Sequence, residues 1–227
     1  MKQNFILDPV KYVLDNHEKM DFPLGDYLEQ VNPIQADYIQ HNCNCEWFCF
    51  DYNYALYSKW LKKRNITGLI YDLGCANGFQ SELFNMPYRG IEIQLEPDQM
   101  WYNDNAEYIN QDIEHYILHP FTHNDEKTHR RYDNLIIMSS MCIGYFDKDD
   151  LGPAYCLMFE YADYVFLTAH YNENIKRIIR YMTKTMKFKY QILEKPEIEE
   201  LTGEYGTGSW VFYKEKKKVG ESECINT

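Results

Sequence analysis

The sequence predicts an α/β fold: a doubly wound, mostly parallel sheet with an antiparallel final strand, preceded by an N-terminal helical cap. Three observations carry this. From Ile66 onward, short apolar runs alternate with stretches of helical spacing. The runs are near-continuously apolar, as in YDNLIIM and YVFLTA, which is the pattern of strands covered on both faces. The closing stretch, from KYQILEKPEI to LTGEYGTGSWVFYKE, reads as two strands joined without a helix, so the last strand must run against its neighbour.

Each element follows in order. Asp8-Pro9 is a helix start, with Val10, Val13 and Leu14 forming an apolar stripe to about Met20. Asn32-Pro33 repeats the signal ahead of Ile34 and Tyr38. From Glu46 to Lys63, the spacing of Phe48, Tyr52, Leu56 and Trp60 predicts a third helix, whose basic end Lys62-Lys63-Arg64 suits a helix C-terminus. Strands are then predicted at 66–72, 88–93, 108–110, 133–138 and 164–169. Helices are predicted near 78–86, 96–107, from Asp147 to about Tyr161, and from an Asn172 cap to about Met186. His119 to Arg131 reads as a polar surface loop. The domain boundaries expected are a helical cap over 1–64, a ligand-binding domain over 65–215 and a frayed tail over 216–227.

Bulk properties narrow the classes. Hydrophobic residues make up 45% of the 227, enough for a sizeable core rather than disorder. The net charge of -12 argues against a dominant nucleic-acid surface, which needs clustered Lys and Arg. The basic runs at 129–131 and 214–218 fail that whole-domain criterion. Seven cysteines without secreted spacing, an N-terminus with no long apolar core, and no run near the ~18 apolar residues of a spanning helix predict a cytoplasmic protein with no membrane role. Cys43, Cys45 and Cys49, with His41 nearby, are zinc-ligand types, but their spacing fits no zinc arrangement and reads as buried free thiols, so no metal is expected.

The chemistry concentrates in IYDLGCANG. An apolar strand ends in Asp72, and the chain turns through Gly74-Cys75-Ala76-Asn77-Gly78 into a helix. Such a turn lets a small ligand lie against bare backbone at a helix N-terminus. Asp72 would repel a pyrophosphate and attract a ligand with cationic groups. G-x-G-x-x-G fails, because positions 76 and 79 are Ala and Phe. The next strand ends in Glu92, placed to accept both hydroxyls of a ribose. The one after leads to Asp112, whose carboxylate could receive an exocyclic amine while Ile113 flanks a purine. Three acids at three successive strand ends, with no lysine among them, make a site for a nucleoside without phosphates.

IYDLGCANG, GIEI, INQDIEH and YDNLIIMSS, taken in this order, resemble the motifs of the class I S-adenosylmethionine-dependent methyltransferases, which have a Rossmann-like fold. The resemblance covers about 66–214, and the closing hairpin suits the family's reversed last strand. It implies S-adenosylmethionine as cofactor, held by Asp72, Gly74, Ala76, Gly78, Glu92, Asp112, Ile113 and Ser139. Ala76 stands where a central glycine is commonest. The acceptor pocket is expected beside the fourth and fifth strand ends, at Ser139, Ser140, Met141, Tyr145, His170 and Tyr171. His170 is the candidate base, because neutral imidazole is available near pH 7, and Tyr145 is the second catalytic candidate. Ser139-Ser140-Met141-Cys142 departs from the Asp/Asn-Pro-Pro-aromatic motif of enzymes that methylate nucleic-acid amines. With the acidic charge, this favours a small molecule or protein side chain as acceptor over nucleic acid. A non-catalytic cofactor-binding sensor and an RNA methyltransferase are the alternatives.

Overall fold

The computed structural model describes residues 52–93, 100–101, 103–111, 113, 121–125, 130–140, 159–196 and 206–215, together with the backbone of 21–23 and 47–49. The first two expected helices, the start of the predicted 96–107 helix, most of the 147–161 helix and the tail lie outside the described residues.

Seven strands form one sheet: β3 (Leu69–Leu73), β4 (Tyr88–Glu92), β5 (Ala106–Asn110), β8 (Leu135–Ser140), β9 (Tyr164–His170), β10 (Lys189–Glu194) and β11 (Thr207–Tyr213). Their spatial order is β10-β11-β9-β8-β3-β4-β5. The pairs β3/β4, β3/β8, β4/β5 and β8/β9 are parallel, and β11 runs antiparallel to both β9 and β10. The sheet is therefore mostly parallel with a reversed last strand. Side chains alternate between its faces as the pleat requires. On β3, Ile70 packs on one face while Leu69, Tyr71 and Leu73 pack on the other.

Each face is covered by a described helix. α1 (Tyr52–Lys63) lays Tyr54, Ala55, Tyr57, Trp60 and Leu61 against Ile70, Ile136, Met138, Phe166 and Val211. Tyr57 stacks at 4.9 Å on Phe166, and Trp60 meets the same ring edge-on. On the opposite face, α2 (Glu173–Lys184) buries Ile175, Ile178 and Met182 among Val165, Leu167, Trp210 and Phe212. Asn172 caps α2, its side chain accepting from the Ile175 amide at 3.0 Å.

Several local expectations are corrected. Trp47–Cys49 is not the start of a helix but strand β2, paired antiparallel with β1 (Asp21–Pro23). Aromatic, strand-prone residues found a backbone partner there, which outweighs helical spacing. The buried stripe of α1 runs through Tyr54, Tyr57, Ser58 and Leu61 and includes the expected Trp60, whereas Tyr52 and Leu56 are only half-buried. The helix expected near 78–86 is a 3-10 helix of five residues, Phe79–Leu83, and Phe84 is already extended. The chain has only a few residues in which to return to β4. Ala106 and Glu107 belong to β5, not to a helix, and Asn103 closes the preceding turn by accepting from the Asn105 amide. The polar segment before β8 holds a short antiparallel pair, β6 (Asn124–Asp125) with β7 (Arg130–Arg131).

Candidate functional site

From β3 the parallel sheet extends through β4 and β5 on one side and through β8 and β9 on the other, so strand order reverses between β3 and β8. In open α/β sheets the crevice beyond the carboxyl ends at such a reversal is where ligands bind. Asp72 lies opposite Met138 in the β3/β8 register, which places the Gly74–Gly78 turn and Ser139 at that point.

The turn is held from several sides. Gly74 and Cys75 amides donate to the Ile91 carbonyl at 2.8 and 3.3 Å, and the Gly78 amide donates to the Cys75 carbonyl at 2.9 Å. Gly74, Ala76 and Gly78 all have positive φ, at 74°, 46° and 75°. At Gly78 a side chain is excluded twice, since a Cβ would also collide with the Tyr108 ring. The Tyr108 hydroxyl points its single proton between the carbonyls of Gly78 and Trp101, which lie 3.2 and 2.9 Å away. Burial pushes that phenol well above its ordinary value. Trp101 completes the clasp: its amide donates to the Asn77 carbonyl at 2.9 Å and its indole N–H to Glu82 at 2.8 Å. Burial raises the Glu82 carboxyl, against the lowering effect of the indole hydrogen bond.

Asp72 does not present its carboxylate to solvent. It is fully buried under α1 and accepts from the Tyr54 hydroxyl at 2.6 Å, from Gln80 Nε2 at 2.8 Å and from the Tyr88 hydroxyl. Burial first, and then the Asp72 charge, hold the Tyr88 phenol well above its usual value. Gln80 also donates to the Cys75 carbonyl at 2.8 Å, so one amide group bridges the acid and the turn. Tyr54, Gln80 and Tyr88 are the partners that motif reading missed. Gln80 was detectable as an amide two residues past Gly78; Tyr54 and Tyr88 carried no local signal.

The remaining candidates divide. The Glu92 carboxylate stands beside the turn, accepting from the Ala76 amide at 3.1 Å and the Ile93 amide at 2.9 Å. Ser139 is fully buried, and its hydroxyl has no hydrogen-bond partner among the described residues. A buried polar atom without a partner costs stability unless something satisfies it. Ile113 is mostly buried in the core on the α2 face. His170 is exposed at the end of β9, its Nδ1 3.3 Å from the Thr207 hydroxyl on β11. Asp112 and Tyr145 lie outside the described residues, as do the side chains of Cys43, Cys45 and Cys49. Among the described residues no group of three or more His, Cys, Asp or Glu side chains could hold a metal ion, and no helix is long and apolar enough to cross a membrane.

No protein-family model matches the chain, and no curated protein matches it by sequence. Solved structures do match. The methyltransferase domain of bacterial CtHen1 is 14% identical, with 71% of this chain and 97% of that chain covered and a TM-score of 0.47. The putative RNA methyltransferase PH1948 from Pyrococcus horikoshii is 14% identical over 72% and 83%, with a TM-score of 0.48. The plantazolicin methyltransferase BpumL, solved with a triazolic desmethylPZN analog and SAH, is 12% identical over 90% and 99%, also at 0.48. Identities of this order concern fold alone. The strand order of the chain itself, with β11 reversed between β9 and β10, decides what that fold is. The chain has a Rossmann-like fold with a reversed last strand.

Proposed function

We propose that this chain binds S-adenosylmethionine at the β3/β8 reversal and transfers its methyl group to an acceptor arriving beside the ends of β8 and β9. The observation that carries this reading is the convergence, at a single topological switch point, of the Gly74–Gly78 turn, Glu92 and the buried Ser139 hydroxyl, which has no partner among the described residues. These residues fit the cofactor. Glu92 has carboxylate lone pairs left to accept from ribose hydroxyls while it holds the turn. The buried Ser139 hydroxyl is a polar group that a bound ligand would satisfy.

When bound, the cofactor supplies a methyl group already activated on a sulfonium. What is left to the protein is chiefly positioning, since in-line displacement is accelerated by holding the reactants in line. Asp72 acts through the turn: with Gln80 it fixes the backbone from Gly74 to Gly78. His170, at the end of β9, is the group able to accept a proton from an acceptor that arrives protonated. Small-molecule and protein acceptors suit the acidic charge of the whole chain. An RNA acceptor is favoured by one observation, the cationic outer face of α2.

Calorimetry with S-adenosylmethionine and S-adenosylhomocysteine tests the donor site. The wild type should bind both, and Glu92→Ala should weaken both by about tenfold or more, as the loss of two charge-assisted hydrogen bonds implies. Absence of binding to either ligand by the wild type overturns the reading. Full turnover by His170→Ala removes that residue as a base.

A further inference from the structure

The net charge of -12 conceals a local reversal. Between Glu173 and Lys189 the chain carries six cations, Lys176, Arg177, Arg180, Lys184, Lys187 and Lys189, against the single acid Glu173. Folding places three of them, Arg177, Arg180 and Lys184, on one side of a helix. Ile175, Ile178 and Met182 of α2 are buried against the sheet, and Arg177, Arg180, Tyr181 and Lys184 lie exposed at i, i+3, i+4 and i+7 on the opposite face.

Two features separate this face from ordinary solvated surface. Like charges three and four residues apart repel one another; Glu173 attracts Arg177 and Arg180 from the first turn, but α2 has no acid near its other end to offset the repulsion between Arg180 and Lys184. The helix dipole favours a cation only in the last turn, which accounts for Lys184 and not for Arg177 or Arg180. Arg180, Lys184 and Lys187 form no ion pair among the described residues. In the middle of the stripe stands Tyr181, an aromatic ring that is 40% exposed.

We infer that the exposed face of α2 is a docking surface for single-stranded RNA. Its cations neutralise backbone phosphates, and Tyr181 offers a platform on which a base can stack. An anionic membrane fits less well, because the apolar face such a helix would insert is already buried in the core. The acidic remainder of the chain does not forbid docking, since charges beyond about 8 Å are screened at physiological salt. α2 begins three residues after His170, so a strand lying along it reaches the proposed methyl-transfer end of the sheet. The acceptor role of such RNA rests on the proposed function; the docking surface does not, and it is measured separately.

Fluorescence anisotropy with a labelled oligouridylate, across a salt series, is the test. The wild type should bind with an affinity that falls as salt rises. Arg177→Gln/Arg180→Gln/Lys184→Gln should weaken binding by about tenfold or more and flatten the log-log salt slope by about two, given about 0.7 per phosphate contact on single strands. Tyr181→Ala should weaken binding and leave the slope unchanged. Arg130→Gln/Arg131→Gln, which removes exposed cations elsewhere, should change little. If the triple variant does not fold, Lys184→Gln alone should flatten the slope by about 0.7. The inference is overturned if the wild type does not bind the RNA, if the α2 variants bind as the wild type does, if the 130/131 variant is the one that loses binding, or if phosphatidylserine vesicles bind and RNA does not. Binding of S-adenosylmethionine is followed in parallel, so that failure of RNA docking and failure of the donor site are told apart.

Discussion

The hydroxyl of Tyr54, on α1, donates to Oδ1 of Asp72, at the carboxyl end of β3, over 2.6 Å in a fully buried setting. A helix that precedes the sheet in sequence is thereby tied to the acid that anchors the glycine turn. A second chain of bonds fastens the same helix. Ser209 donates to Asn53 at 2.5 Å, and since each hydroxyl has one proton, Thr168 must donate to Ser209 at 2.9 Å and Tyr57 to Thr168.

Tyr54→Phe keeps the ring and removes one donor from a buried carboxylate. Chemical denaturation should show a loss of about 1–3 kcal/mol. Affinity for S-adenosylmethionine should fall as well, because the turn depends on Asp72 through Gln80. A variant of unchanged stability would mean that the hydroxyl contributes nothing to holding Asp72.

Gly78→Ala places a methyl group at a φ of 75° and against the Tyr108 ring. The backbone strain alone costs about 1–3 kcal/mol. Urea denaturation should show at least that loss, and an unchanged stability would mean that the turn relaxes around the added methyl group.

Ala76→Gly acts in the opposite direction. Ala76 is an exposed non-glycine residue at a φ of 46°. Relief of about 1–2 kcal/mol of left-handed strain is offset by about 0.4–1 kcal/mol of unfolded-chain entropy. A net gain of about 0.5 kcal/mol is expected from denaturation curves, provided that the bond to Glu92 persists.

Glu82 gives the fold a pH dependence. Burial raises its carboxyl above 4.5 in the folded state, so the folded chain holds this proton more tightly than the unfolded one. The associated stability is fully present below pH 4.5 and is lost as pH rises through the folded value. Glu82→Gln retains an oxygen to accept from Trp101 and cannot ionise. Its stability relative to the wild type should therefore rise with pH across that window and then level off. A constant difference between the two across the window would contradict the raised carboxyl.

Much of the sheet was legible because near-continuous apolar runs such as Leu135–Met138 and Tyr164–Leu167 have few other ways to bury themselves. The turn was legible too, since an acid and two glycines sit within a few residues of each other. What ends where was less so. Trp47–Cys49 became a strand because Asp21–Pro23 lay within pairing distance, and no local pattern records that. The charge total hid α2, because a sum over the chain has no direction in space while a helix sorts residues by face.

By itself, the sequence determined the alternation of strands and helices, the reversed last strand and the position of the glycine turn, because these follow from local periodicity and local backbone freedom. Only the tertiary structure decided that Asp72 is sealed beneath Tyr54, Gln80 and Tyr88, that Ser139 is buried without a partner among the described residues, and that Arg177, Arg180 and Lys184 of α2 share one exposed face. Hydrogen bonds between residues far apart in the chain and the burial of one helix face depend on how elements pack, which no short window of sequence contains.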